Sequence, residues 1–127
     1  MRFTLGKMEK LKSKKAIELL FEKGNRIKSF PIQLVYLRNS KEREIMLRSG
    51  FSVPKRSIKK AVERNEIKRL MREVFRNQKI SFSENLKRPH DFMFVYLSKE
   101  KESYATLEKA MEKLNKKFLI KIAEDET

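Results

Sequence analysis

KRSIKKAVERNEIKRLMREVFRNQK, running from Lys55 to Lys79, is the most informative stretch of this chain. It holds ten basic residues, and its three acids are Glu63, Glu66 and Glu73. At about 100° per residue, Arg64, Lys68, Arg69, Arg72 and Arg76 fall in one arc of about 140°, with Asn65 inside it. Ile67, Leu70, Met71 and Val74 fall opposite, and the acids all lie outside the cationic arc. The pattern predicts a helix from about Ile58 to Asn77 with a core side and a cationic side. A merely solvated face would intersperse acids among its bases to form local pairs. This arc contains no acid instead, and its bases form a rod about 18 Å long at roughly 1.5 Å per residue. Such a rod can meet several phosphates of a nucleic-acid strand, with affinity falling steeply with salt as counterions are released. Arginine adds two-pronged hydrogen bonding to phosphate and stacking on unpaired bases. Ile58, Ala61 and Val62 are out of phase with the later apolar stripe, so the helix starts later or its first turn packs differently.

Working outward, Ile45 to Val53 reads as one long or two short strands ended by Pro54, with Gly50 marking a bulge or a close backbone approach. Pro31 opens a strand over Ile32 to Leu37, and residues 39–43 read as a turn. Ser13 can cap a helix that runs to Lys23, with Gly24 at its C-terminal end. Residues 1–12 are a basic N-terminal arm. Beyond the cationic helix, residues 78–90 read as a loop, and Asp91 to Leu97 reads as a strand covered on both faces. Ser103 can cap a last helix whose stripe is Tyr104, Leu107, Met111, Leu114 and Phe118. Residues 123–127 form a loose acidic tail. The expected architecture is a single α/β domain over residues 1–127, an α+β sandwich of about four strands and three helices in the order α-β-β-β-α-β-α.

The 127 residues carry 32 Lys and Arg against 17 Asp and Glu, a net charge of +15, which attracts polyanions. No apolar run approaches the roughly 18 residues of a spanning helix, so nucleic acid is preferred to membrane. Without cysteine, disulfides, thiolate zinc sites and cysteine nucleophiles are excluded. His90 is the single histidine, and the acids lack metal-ligand spacing, so no catalytic residue and no protein-bound metal is identified.

AVERNEIKRLMREVFR, Ala61 to Arg76, resembles the signature helix of bacterial ribonuclease P proteins. GFSVPKR, Gly50 to Arg56, resembles the strand and basic turn that lead into it, and the element order agrees over almost the whole chain. Two departures stand out. Glu66 occupies a position that is usually basic in the family, where it could pair with Arg69. The turn before the helix has Ser57-Ile58-Lys59 in place of the common glycine.

The resemblance implies a ribosomal-protein-like fold with a left-handed βαβ crossover and two RNA surfaces. Lys55, Arg56, Lys60, Arg64, Asn65, Lys68, Arg69, Arg72 and Arg76 would face the catalytic RNA. Ile17, Phe21, Val35, Tyr36 and Tyr96 would line a cleft for the single-stranded 5′ leader of precursor tRNA, ordinary core packing being the alternative for each. The implied chemistry is removal of that leader by an RNA-bound divalent metal, Mg²⁺, in a cytoplasmic ribonucleoprotein. Ribonuclease P RNA and precursor tRNA are the implied partners, with no membrane and no DNA. A ribosomal or RNA-chaperone protein is the alternative reading. A helix-turn-helix DNA regulator is weaker, because a strand precedes the basic helix.

Overall fold

The computed structural model describes residues 8–39, 45–84 and 86–125. Its elements are β1 (Met8–Lys10), α1 (Lys14–Lys23), β2 (Asn25–Ser29), β3 (Ile32–Arg38), β4 (Leu47–Ser52), α2 (Ala61–Ser83), β5 (His90–Tyr96) and α3 (Tyr104–Asp125). The strands form one mixed sheet in the order β1-β4-β5-β3-β2. β1 and β5 flank β4 in parallel, while β3 runs antiparallel to β5 and to β2. The cationic helix α2 is therefore the crossover between two parallel neighbours, β4 and β5. This is the α+β class expected, with the three helices in their expected order.

β5 is buried at every position, the signature of a strand covered on both faces. Side chains alternate between faces along a strand, and the sheet sorts two cores accordingly. Ile32, Leu34, Tyr36, Phe92, Phe94 and Tyr96 pack with α2 and α3, through residues such as Met71, Phe82, Leu114 and Phe118. Val35, Met93 and Val95 face the other way, against Leu11 and the α1 residue Leu20. Phe118 sets its ring edge-on to Phe92 at 4.9 Å and to Tyr36 at 5.1 Å, the geometry that aromatic quadrupoles favour.

Ser13 caps α1, its hydroxyl accepting from the Ala16 amide at 3.2 Å. Gly24 ends that helix with an ordinary φ of −70°, and what requires glycine there is close approach: a Cβ would lie 2.3 Å from the Leu20 carbonyl oxygen. Gly50 likewise marks close approach, since its Cβ would come 2.8 Å from Met93 Cε.

Several expectations are corrected. There are five strands, not about four. β1 lies within the segment read as an arm, held by parallel pairing to β4; the rest of that arm, residues 1–7, lies outside the described residues. β2 escapes the strand pattern because it buries only Ile27 and Ser29. Residues 45–53 hold one strand. α2 starts at Ala61, which explains the phase break: Ile58 is buried in the turn before the helix, and Val62 is 71% exposed. At its other end α2 runs to Ser83, through part of the expected loop, because Phe82 is fully buried against β5 and α3. α3 continues to Asp125, anchored by buried Ile122, so residues 123–125 are helical; residues 126–127 lie outside the described set. Of the expected turn at 39–43, all but Asn39 lies outside it as well.

Candidate nucleic-acid interface

α2 is anchored by Ile67, Met71, Val74, Phe75 and Phe82, all buried. That anchoring turns Arg69, Arg72 and Arg76 out to exposed positions and leaves Lys68 half-buried. None of these four forms an ion pair among the described residues. Asn65 and Lys60 are exposed at the start of the helix, Lys60 standing at the N-cap without a side-chain capping bond. Lys55 and Arg56 are exposed in the turn after β4, whose backbone closes through amides of Ser57 and Ile58 donating to the Pro54 carbonyl at 3.0 and 3.1 Å. The structure brings Arg69, Arg72 and Arg76 together at one recess, while Lys55, Arg56, Lys60 and Asn65 are exposed at or before the start of the helix.

Arg64 differs from the rest. It is half-buried, and its Nη1 donates to the carbonyls of Ile58 and Lys59 at 3.0 and 2.7 Å. It holds the basic turn against the helix as well as carrying charge. Glu66 does not pair with Arg69. It meets Lys101, from the segment before α3. The Lys101 hydrogen bond and charge, with a smaller contribution from Arg69, hold the Glu66 carboxyl below its usual range. The acid at the usually basic position is turned toward α3 and neutralised there.

A further feature of this surface was not legible in sequence. α2 does not stand alone on its cationic side. β1 and β4 face it across a cavity of about 440 Å³. Arg69, Arg72, Arg76 and Lys79 line it from α2, Lys10 and Lys12 from the β1 side, and Phe51 and Phe75 form its aromatic floor. Recognising this would have required knowing that residues 8–10 form a strand parallel to β4.

On the opposite face of the sheet, α1 places Ile17 half-buried and Phe21 36% exposed. Val35 shares that face but is fully buried in the core beneath α1. Tyr36 and Tyr96 are corrected as cleft residues. Strand alternation points both into the α2–α3 core, 3% and 0% exposed. Burial raises the pKa of both phenols, and the Tyr96 hydroxyl accepts from the Glu102 amide at 3.0 Å. The α1 face holds polar residues that sequence reading missed with β2. Arg26 lies 5.8 Å from the Phe21 ring centroid, donates to the Phe21 carbonyl at 3.0 Å, and reaches Gln33 Oε1 at 3.4 Å. Arg48 and Asp91 form a two-pronged pair, both contacts 3.0 Å. Among the described residues no three His, Asp or Glu side chains converge as a metal site, and no step is assigned to an ion held by the protein.

The geometry defines a class first: α+β proteins whose sheet carries helices on both faces and whose crossover helix offers a continuous cationic surface to a polyanion. Within that class, the chain belongs to the ribonuclease P protein family, whose model, described as Ribonuclease P, matches residues 5–119, and it is the protein subunit of that tRNA-processing ribonucleoprotein, partnered with ribonuclease P RNA. It is 32% identical over 124 residues to the ribonuclease P protein component of Porphyromonas gingivalis, covering 95% of this chain and 88% of that one. It is 34% identical over 112 residues to that of Caldanaerobacter subterraneus subsp. tengcongensis, covering 87% and 90%. Its fold matches the RNase P protein from Thermotoga maritima with a TM-score of 0.68 at 23% identity, covering 86% of this chain and 96% of that one. For the Staphylococcus aureus RNase P protein the TM-score is 0.67 at 23% identity, covering 90% and 94%. No helix of the described residues is long and apolar enough to cross a membrane.

Proposed function

We propose that α2 and the basic turn before it bind the ribonuclease P RNA, while the α1 face of the sheet receives the 5′ leader of precursor tRNA, in the cytoplasm. The carrying observation is the row Lys68, Arg69, Arg72 and Arg76, presented on one side of α2 without an ion-pair partner among the described residues. Unpaired cations on a rigid helix meet phosphates without first breaking internal pairs, and each contact releases counterions. Arg64 adds stiffness, because bonding the carbonyls of Ile58 and Lys59 fixes the turn that carries Lys55 and Arg56. On the α1 face, Phe21 offers a partly exposed ring beside Arg26 and half-buried Ile17. A ring with a neighbouring guanidinium suits unpaired nucleotides, because stacking tolerates any base.

The protein's contribution is then affinity, orientation and charge neutralisation. Cleavage is assigned to the RNA, where a divalent ion such as Mg²⁺ supplies the activated water; the products are a tRNA with a 5′ phosphate and a leader with a 3′ hydroxyl. The test is reconstitution. Purified protein is added to a bacterial ribonuclease P RNA at low magnesium, and cleavage of precursor tRNA at the mature 5′ end is measured. A gain that grows with leader length is expected. No gain at that position would overturn the proposal in favour of a structural RNA binder.

A further inference from the structure

We infer that the cavity between α2 and the β1–β4 edge receives one unpaired nucleotide of the ribonuclease P RNA, its base laid on Phe51 and its phosphate held by Arg69, Arg76 and Lys79. This rests on the reading of α2 as the RNA-facing helix and gives that surface a specific receptor. A strip of exposed charge would suffice to hold a duplex backbone. The structure builds more than a strip: a recess of about 440 Å³, within the roughly 300–1,000 Å³ typical of small-molecule sites.

Three observations select a nucleotide as the occupant. The first is the floor. Phe51 is half-buried at the cavity, stacked on Phe94 with centroids 5.4 Å apart at 15° and braced by Phe75 at 5.9 Å. A ring held on one side by another ring is a preformed platform, and base–aromatic stacking is sequence-tolerant. Next is Arg72, whose guanidinium carbon lies 5.9 Å from the Phe51 centroid. By moving outward, it can close over a base resting on the ring. The third is Lys79. It is only 7% exposed, lines the cavity, and has neither hydrogen-bond nor ion-pair partner among the described residues. Its stem is buried while its ammonium stays committed to no group of the described residues, which leaves that ammonium available to an incoming phosphate.

The charge balance agrees. Six cations and one carboxylate, Glu73, line the recess, so the site selects an anion. An acidic peptide would satisfy the rim and leave the aromatic floor unused. A duplex would meet the rim while keeping its bases stacked away from Phe51. An unstacked nucleotide satisfies both.

The experiment measures affinity of the full chain for ribonuclease P RNA across a salt series. Phe51→Leu should weaken binding roughly 5- to 150-fold with an unchanged salt slope, because stacking releases no counterions. Arg69→Ala with Arg76→Ala should flatten the slope. If Phe51→Leu binds normally while the arginine variant loses slope, the receptor is overturned and the RNA-facing surface stands. If the arginine variant changes nothing, the surface reading falls and takes the receptor with it.

Because Phe51 also packs on Phe94 and Phe75, a second measurement spares the platform. Exposed Lys12, on the opposite wall, is replaced by p-benzoylphenylalanine and the complex is illuminated. Crosslinks concentrated at one unpaired nucleotide support the receptor, and crosslinks spread over paired segments overturn it. Adenosine 5′-monophosphate, titrated into the free protein, separates the two sources of this chemistry. Tight binding of the free nucleotide that leaves RNA affinity unaffected would make the site a mononucleotide site and overturn the assignment to RNA.

Discussion

Replacing Arg69 and Arg76 together with alanine should make RNA binding weaker and less sensitive to salt. Both side chains are exposed and neither forms an ion pair among the described residues, so folding should change by no more than about 0.5 kcal/mol. They lie seven residues apart on α2, about 10 Å along the axis at 1.5 Å per residue, far enough to reach different phosphates. Each phosphate contact contributes a slope of about −0.7 for single strands to −0.9 for duplex in a plot of log affinity against log salt. Losing two contacts should flatten that slope by about 1.4 to 1.8. The same exponents, taken to 0.15 M salt from a 1 M reference, give a loss of roughly 15- to 30-fold, shrinking toward nothing as salt approaches 1 M. The assay is filter binding or fluorescence anisotropy with labelled ribonuclease P RNA from about 0.1 to 0.6 M monovalent salt, with thermal melts alongside. Parallel lines for native and variant protein, even if displaced, would refute the reasoning, because weaker binding at constant slope is not loss of phosphate contact.

Phe21→Ala should weaken binding of precursor tRNAs with long leaders more than those with short ones, at a folding cost below the about 3–5 kcal/mol of a buried ring because Phe21 is 36% exposed; equal effects on both substrates would remove it from the leader path. Arg64→Ala should lower stability by about 1–3 kcal/mol in urea titration through loss of its bonds to Ile58 and Lys59, a cost that variants of exposed Arg72 should not share. Asp91→Asn leaves Arg48 without its counter-charge and should destabilise toward the lower end of about 3–5 kcal/mol, since the Arg48 side chain is 23% exposed. The buried phenols set an alkaline limit. Tyr36 and Tyr96 have folded pKa values raised above 10, so the folded state holds protons that the unfolded chain releases. Stability should be intact below pH 10 and decline as pH rises through the folded pKa values. Guanidinium melts at a series of pH values with tyrosinate absorbance would show this, and a flat stability profile above pH 10 would contradict it.

Much of the fold was legible where one face of an element is apolar. The α2 pattern is legible because Ile67, Met71 and Val74 share a stripe, and β5 because every residue after His90 and Asp91 is apolar or aromatic. β1 and β2 were not, for a physical reason: they are edge strands, and an edge strand draws its order from backbone pairing that side-chain periodicity does not record. The end of α2 was misplaced because Lys79 and Phe82 sit among polar neighbours, and only the tertiary fold shows that both are buried. At the site, charge was legible and geometry was not. The cationic arc could be drawn on a helical wheel, yet the diversion of Arg64 to the turn, the pairing of Glu66 with Lys101, and the facing wall of β1 all depend on residues distant in sequence. Tyr36 and Tyr96 illustrate the same limit from the other side. Their resemblance-based assignment depended on which way a strand faces, and one residue of register reverses that.

On the proposed reading, the sheet lets one small protein serve two RNAs. β5 contributes alternate residues to both cores, Phe92 and Phe94 to the α2 side and Met93 and Val95 to the α1 side. On the proposed reading, the catalytic RNA therefore lies on one face and the leader on the other, separated by a single sheet with its helices. Such a spacer is stiff, because protein interiors are close-packed and yield little to strain. Binding energy collected along α2 can then fix where the leader enters, without any residue touching both nucleic acids. Surface arginines on α2 should accordingly affect assembly for every substrate, whereas α1 residues should affect substrates according to their leaders. A variant such as Asp91→Asn, which loosens the start of β5 where the two faces meet, should degrade both together.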